Sequence, residues 1–298
     1  FHYFIFTENK YFIQDLIFPF FCMSLPSLIL SYNINNVNVF YKTSKMSSYI
    51  VFILIFILII YCSLGFASIG EYSMSLSYYI LFPTLFILLD TIKKFSIFNG
   101  ILLLISLFII ISFGARGPLL CLFIFSIFVI TKKTHKFTLI KIIIINFTLL
   151  CIFLFLIFYK YLLRYIYTYL LQFNINSRTL MILIDNGFNL TGREHIYQIL
   201  LNKISEEPLF GIGLGGDRVY LDGVYAHNFF IEIIANFGII ISFVLIYYLF
   251  YLILKTILIK NIIKFDLFAI YFSLGFIPLL ISASYIEYIN FWIFMGIL

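Results

Sequence analysis

Apolar runs long enough to cross a bilayer recur along nearly the whole chain, and this limits its fold more than any other feature. A helix needs about 20 apolar residues to span the hydrocarbon core. That requirement gives candidate spans near 12–31, 49–68, 75–91, 96–113, 115–131, 138–159, 228–254, 265–282 and 285–298. Only helices or closed barrels satisfy the backbone in lipid, and barrel strands alternate polar with apolar residues. Runs such as Ile50–Tyr61 do not alternate, so helices are expected. Only 11% of residues are charged and 63% are hydrophobic, against about 25% charged in a soluble domain. The expected fold is an all-α polytopic membrane protein. It has about nine transmembrane helices and a large, partly helical extracytoplasmic loop.

The expected organisation is an N-terminal transmembrane bundle over 1–159, an extracytoplasmic loop over 160–227 and C-terminal transmembrane helices over 228–298. The chain opens on Phe1 rather than Met, as a fragment lacking upstream spans would. Orientation follows from the lysines. Lys42, Lys45, Lys93, Lys94, Lys132, Lys133, Lys136, Lys141, Lys255, Lys260 and Lys264 fall on one side, whose opposite carries only Lys10 and Arg116 in short segments. The positive-inside rule makes the lysine-rich side cytoplasmic and the 160–227 segment extracytoplasmic. The net charge of +6 is thereby explained by the membrane, without nucleic acid. Cys22, Cys62, Cys121 and Cys151 all lie in apolar runs without metal spacing, and they do not suggest a disulfide framework. No cleavable signal peptide or lipidation motif is visible.

The stretch Thr191–Gly238 differs from the rest in chemistry. It holds Arg193, His227, a glycine cluster and the acids Glu194, Glu206, Glu207, Asp217, Asp222 and Glu232. Thr191 followed by Glu194 fits a capping box. The helix it opens runs to about Ser205, with Ile196, Leu200 and Ile204 on one face, and Pro208 stops it. Lys160–Gln172 reads as an interfacial helix with Arg and Tyr anchors.

Gly211–Gly216 matches G-x-G-x-x-G in letters. The dinucleotide reading is rejected, because that motif works only between a strand and a helix of a βαβ unit. A flexible turn is the simpler reading. His227 precedes the apolar run Phe229–Tyr248. It is either an interface anchor or, since imidazole takes a proton near neutral pH, a general base. Glu232 lies about one and a half helical turns further in. A carboxylate at that depth needs a partner or a polar cavity. Arg116, in Gly-Ala-Arg-Gly-Pro (114–118), is either a snorkelling side chain or a bidentate phosphate ligand. The orientation places Arg116, Arg193 and His227 on one membrane face. The chain holds no Asp-x-Asp pair, which argues against a metal-dependent nucleotide-sugar transferase. Asn189-Leu-Thr191 is a sequon and is given no weight in a chain read as bacterial.

Gly114-Ala-Arg-Gly117, Thr191-Gly-Arg193, Pro208-Leu-Phe-Gly-Ile-Gly-Leu214 and Ala226-His-Asn228 occur in that order. Arg116 and Leu120 give Arg-x3-Leu, and His227 and Gly238 give His-x10-Gly. With these motifs, the chain from about Ser96 onward resembles the bacterial O-antigen ligase and O-antigen polymerase superfamily of integral membrane glycosyltransferases. A Tyr, Tyr197, stands where that family often has Trp, and the N-terminal spans are fewer than it has.

The resemblance implies a metal-independent, inverting glycosyltransferase in the bacterial inner (cytoplasmic) membrane, with its site facing the periplasm. Its donor would be an undecaprenyl-diphosphate-linked glycan. Its acceptor would be another glycan for a polymerase, the favoured reading, or lipid A core sugar for a ligase. His227 would be the base, and Arg193 and Arg116 would bind the diphosphate. Arg218, Tyr197, Asn228, Glu232 and Gly213 would line the substrate site. No cofactor is implied, and a chain-length regulator is a possible protein partner. A flippase for the same lipid-linked glycan is the competitor from another class. It would place ionisable groups at mid-membrane and show repeated broken helices. A purely structural subunit would leave the three site residues unexplained.

Overall fold

The computed structural model describes residues 5–64, 73–94, 96–113, 116–133, 161, 163–172, 181, 184 and 193–298. Among them the regular elements are helical. In chain order they are α1 (Thr7–Tyr32), α2 (Val37–Ser63), α3 (Met74–Lys93), α4 (Ile97–Ser112), α5 (Arg116–Lys133), α6 (Arg193–Glu206), α7 (Gly216–Tyr220), α8 (Phe229–Ile257), α9 (Ile262–Leu280) and α10 (Ile289–Ile297). Five of these, α1, α2, α3, α8 and α9, are long and apolar enough to cross a membrane. The Ile97–Ser112 helix and Gly117–Ile130 within α5 are shorter apolar helices.

Several expected spans shift. Helix α2 starts at Val37, well before the span expected near 49–68, because Asn36 Oδ1 accepts hydrogen bonds from the N–H groups of Asn38 and Val39, both at 3.1 Å. At 1.5 Å per residue, the nine residues of α10 cover about 14 Å, less than the hydrocarbon thickness. Residues 281–288 before it form a non-helical connection rather than the start of a span. The expected span 138–159, the capping residue Thr191 and the sequon lie outside the described residues.

The chain divides into two compact units, one of Phe1–Tyr41 with Leu190–Leu298 and the other of Lys42–Asn189. In the second unit, Lys45 Nζ of α2 meets Asp90 Oδ2 of α3 at 2.6 Å, and the Tyr49 hydroxyl donates to Asp90 at 3.2 Å. Ile80, Leu81, Leu85, Phe86, Ile87 and Leu89 of α3 are fully buried. Gly117 lies against the Tyr78 side chain, where a β-carbon would overlap the hydroxyl. Residues 163–172 are helical as expected, with Leu163 and Leu170 buried beside Ile111 and Ile184, and Tyr165 and Tyr169 exposed.

In the first unit an aromatic core joins α8, α9 and α10. Phe229 packs edge-on to Phe276, Phe291 and Tyr285, and Phe294 touches Phe268, Phe272 and Phe276. Such ring pairs add about 0.5–1.5 kcal/mol each beyond the area they bury. Helix α1 braces this core from its two ends. Ser24 Oγ donates to the Ile286 carbonyl at 2.8 Å. At the other end, Asn9 Nδ2 donates to the carbonyls of Ile212 and Leu214, at 2.9 and 3.2 Å. The glycine cluster at 211–216 is thus tied to α1 through its own backbone.

Helix α6 begins at Arg193 and buries Leu200 and Ile204, with Ile196 packed beside them, as its periodicity predicts. Helix α8 departs from expectation. It is broken at Gly238, whose φ of 73° and ψ of 174° belong to a region open essentially to glycine alone. The loop after α6 fills the break. Ile239 N–H donates to the Pro208 carbonyl at 2.9 Å and Ile212 N–H to the Ala235 carbonyl at 2.7 Å. Ser242 Oγ donates to the Ile233 carbonyl at 2.8 Å. Irregular backbone at membrane depth is tolerated where protein satisfies it, and here the 208–212 loop does so.

Candidate active site

His227 stands between the glycine segment and α8, in a left-handed conformation with φ of 54°. Residues other than glycine seldom adopt this conformation and keep it only where neighbours over-determine it. Both flanks are held. Ala226 N–H donates to Asp217 Oδ2 at 3.2 Å, and Asn228 Oδ1 caps α8 by accepting from Phe230 and Ile231 N–H at 3.0 and 3.3 Å. Asn228 is therefore a helix cap, which spends its side-chain oxygen on the backbone.

The His227 ring lies 4.2 Å, centroid to centroid, from that of Tyr225. Its Nδ1 is buried with no hydrogen-bond partner. Burial and then the nearby Arg193 charge lower its pKa below the ordinary 6.5, against a hydrogen bond to the Ser282 carbonyl that favours the protonated form. The imidazole is therefore neutral, and able to accept a proton, at neutral pH. Arg193 is half-buried in the first turn of α6. Burial, with the Glu232 and Glu287 carboxylates after it, raises the Tyr225 phenol above its ordinary value, and Arg218 and Arg193 oppose them. The Tyr225 hydroxyl donates to the Ser282 carbonyl at 2.7 Å.

A buried polar network backs this pair. Arg218, 5% exposed, donates from Nη2 to Ser284 Oγ at 3.3 Å and to Glu287 Oε1 at 3.1 Å. Its Nη1 stands 3.7 Å from Asp217 Oδ1. Burial pushes the Asp217 carboxyl up, while Arg218 and backbone N–H donors pull it down. Ser284 Oγ donates a short hydrogen bond to Glu232 Oε1, and Tyr285 N–H reaches Glu232 Oε2 at 3.4 Å. Glu232 is fully buried, so the partner expected for it exists, supplied by residues 284–285. Asn236 Nδ2 donates to the Tyr285 hydroxyl at 3.0 Å.

Of the residues singled out from sequence, the first unit thus brings together His227, Arg193, Arg218 and Glu232. Gly213 has a φ of 83°, and a β-carbon there would meet Asn9 Nδ2 at 2.9 Å, so this residue serves the loop's packing against α1. Tyr197 is half-buried on α6. Arg116 opens α5 in the second unit. Among the described residues no group of three or more His, Cys, Asp or Glu is placed to hold a metal ion.

The sequence reading named Asp217 without giving it a role, and missed Tyr225, Asn236 and the whole of Ser282–Glu287. The one signal for the latter was Ser-Ala-Ser-Tyr-Ile-Glu, a polar interruption between two apolar runs.

No curated protein and no solved structure matches the chain. Residues 101–246 match the family model described as O-antigen ligase. That region runs from α4 through the break in α8 and contains Arg116, Arg193, Arg218, His227, Glu232 and Gly238. Through it, this multi-pass membrane protein is similar, over just under half of its length, to the O-antigen ligase and polymerase superfamily.

Proposed function

We propose that this protein polymerises undecaprenyl-diphosphate-linked oligosaccharide units at the outer face of the inner membrane. The observation that carries the reading is the grouping of a neutral His227 with Arg193, within a chain similar to this superfamily. His227 removes the proton of the acceptor hydroxyl as its oxygen attacks the anomeric carbon. The bond from that carbon to the donor's diphosphate oxygen breaks, and the configuration inverts. Arg193 neutralises the leaving lipid diphosphate, so no metal is required. Fixed charges of this kind in a dry site contribute roughly a few kcal/mol each to the transition state. Arg218 is already paired with Glu287 and Asp217, so its part is to support the site rather than bind diphosphate.

Ligation of the glycan to lipid A core uses the same groups and is the alternative within the class. A flippase is the alternative outside it. The broken helix α8 is a feature such a reading would expect. The charged groups of the site around His227, however, gather at the first turns of α6 and α8 and in the adjoining loops.

The test is His227→Asn in the full-length protein. Asparagine tolerates the left-handed backbone, so this change removes the base with little added strain. Loss of a general base typically costs about 10²–10⁴-fold in rate. Long chains should vanish while unjoined donor accumulates on the outer leaflet, detected with an impermeant glycan-binding probe. Donor trapped on the inner leaflet would support the flippase instead.

A further inference from the structure

The proposed mechanism leaves the carboxylates of the network unused, and one of them differs from the rest in exposure. Asp217 and Arg218 have side chains that are 0% and 6% exposed, but that of Glu287 is 43% exposed. Glu287 spends Oε1 on Arg218 Nη2 at 3.1 Å, and Arg218 is itself fixed by Ser284 and Asp217. The Arg218 guanidinium lies 5.7 Å from the centre of the Tyr225 ring, whose other neighbour is His227. Glu287 is thus a half-exposed carboxylate held from behind by a buried cation, with Tyr225 linking that cation to the proposed base.

Such a group has a narrow range of ligands. It repels a diphosphate, which removes it from the donor's charged end. It accepts hydrogen bonds from hydroxyl groups, and two carboxylate oxygens match two adjacent O–H donors. A hydrogen bond to an ionised acceptor is about twice as strong as a neutral one. A carboxylate already fixed by an arginine also loses little freedom on binding. We infer that Glu287 binds vicinal hydroxyls of the acceptor sugar, with Arg218 and Ser284 as its positioning residues. This rests on His227 acting on an acceptor hydroxyl. It divides the site by charge, with arginine towards the donor diphosphate and carboxylate towards the acceptor polyol. Glu287 lies outside the region matched by the family model.

A readout independent of turnover is built in. The chain has a single tryptophan. Trp292 Nε1–H donates to the Tyr285 carbonyl at 2.8 Å and the Ile286 carbonyl at 3.3 Å, directly before Glu287. The probe is the oligosaccharide released by mild acid from the cell's own lipid-linked repeat unit. It is titrated, without donor, into the full chain in nanodiscs while Trp292 fluorescence is followed. Saturable binding is expected, weakened about tenfold or more in Glu287→Gln, as loss of a hydrogen bond to a charged group implies. The same glycan with its vicinal diols cleaved by periodate should bind the wild type just as weakly, a comparison that needs no variant to fold. Equal affinity of Glu287→Gln and wild type, equal affinity of intact and cleaved glycan, or no saturable binding to wild type would each overturn the inference. If His227→Asn still joins chains while Glu287→Gln loses affinity, the base assignment fails and the acceptor site stands.

Discussion

The Ile212 N–H donates a 2.7 Å hydrogen bond to the carbonyl of Ala235, tying the glycine loop to helix α8 just before its break. A β-carbon on Gly238 would overlap the Leu209 carbonyl oxygen and stand 2.7 Å from Phe210 N. Loop and break are therefore one structure, and the ten residues between His227 and Gly238, the Asn228 cap and the first nine residues of α8, connect the site to it.

Gly238→Ala should destabilise strongly, because it adds this overlap to a backbone conformation that costs a side chain about 1–3 kcal/mol by itself. Gly215→Ala, with φ of 72° but nearest contacts of 3.6–3.8 Å, should pay only the conformational cost. Thermal melting of the two variants in detergent should rank Gly238→Ala well below Gly215→Ala. Equal melting would mean that the loop does not plug the break.

The pH dependence of transfer follows from His227. Its pKa lies below 6.5 in the folded protein. The active neutral form thus persists on acidification until pH falls through that lowered value. The acidic limb of the rate profile should therefore lie below pH 6.5. A limb above that value would remove His227 as the base. The same shift makes His227 a source of acid lability, since the unfolded chain takes up its proton first as pH falls.

Arg193→Lys keeps the charge but loses the planar fork that grips a diphosphate from two sides. Glycan transfer should fall by at least about tenfold, the scale of one lost charged hydrogen bond, with protein level unchanged. Transfer close to wild type would make Arg193 an electrostatic neighbour of His227 only.

Arg218→Met should act on stability rather than on donor binding. It leaves Asp217 buried without its counter-charge, a change that costs about 3–5 kcal/mol in buried pairs. A melting temperature far below wild type is expected. A stable variant with weakened donor binding would return Arg218 to the diphosphate.

Membrane orientation is tested by cysteines placed at positions 220 and 260, both in the first unit. In intact cells an impermeant thiol reagent should label 220 and spare 260. Labelling at 260 would invert the orientation and put the site on the cytoplasmic face.

The all-helical membrane class, the face of α6 carrying Ile196, Leu200 and Ile204, and the polar stretch that holds Arg193 and His227 were legible in the sequence. Each depends on local pattern, such as apolar run length, helical spacing, or a charged cluster in an otherwise apolar chain. The tertiary structure alone decided the rest. Hydropathy summed over a window cannot see one glycine, so α8 read as continuous although it breaks at Gly238. The apolar flanks of residues 282–287 hid a short polar turn, whose partners Arg218 and Glu232 lie more than fifty residues earlier. A buried charge must be compensated, but sequence does not say by which residue. That choice is made when α8, α9 and α10 pack and bring Glu287 to Arg218.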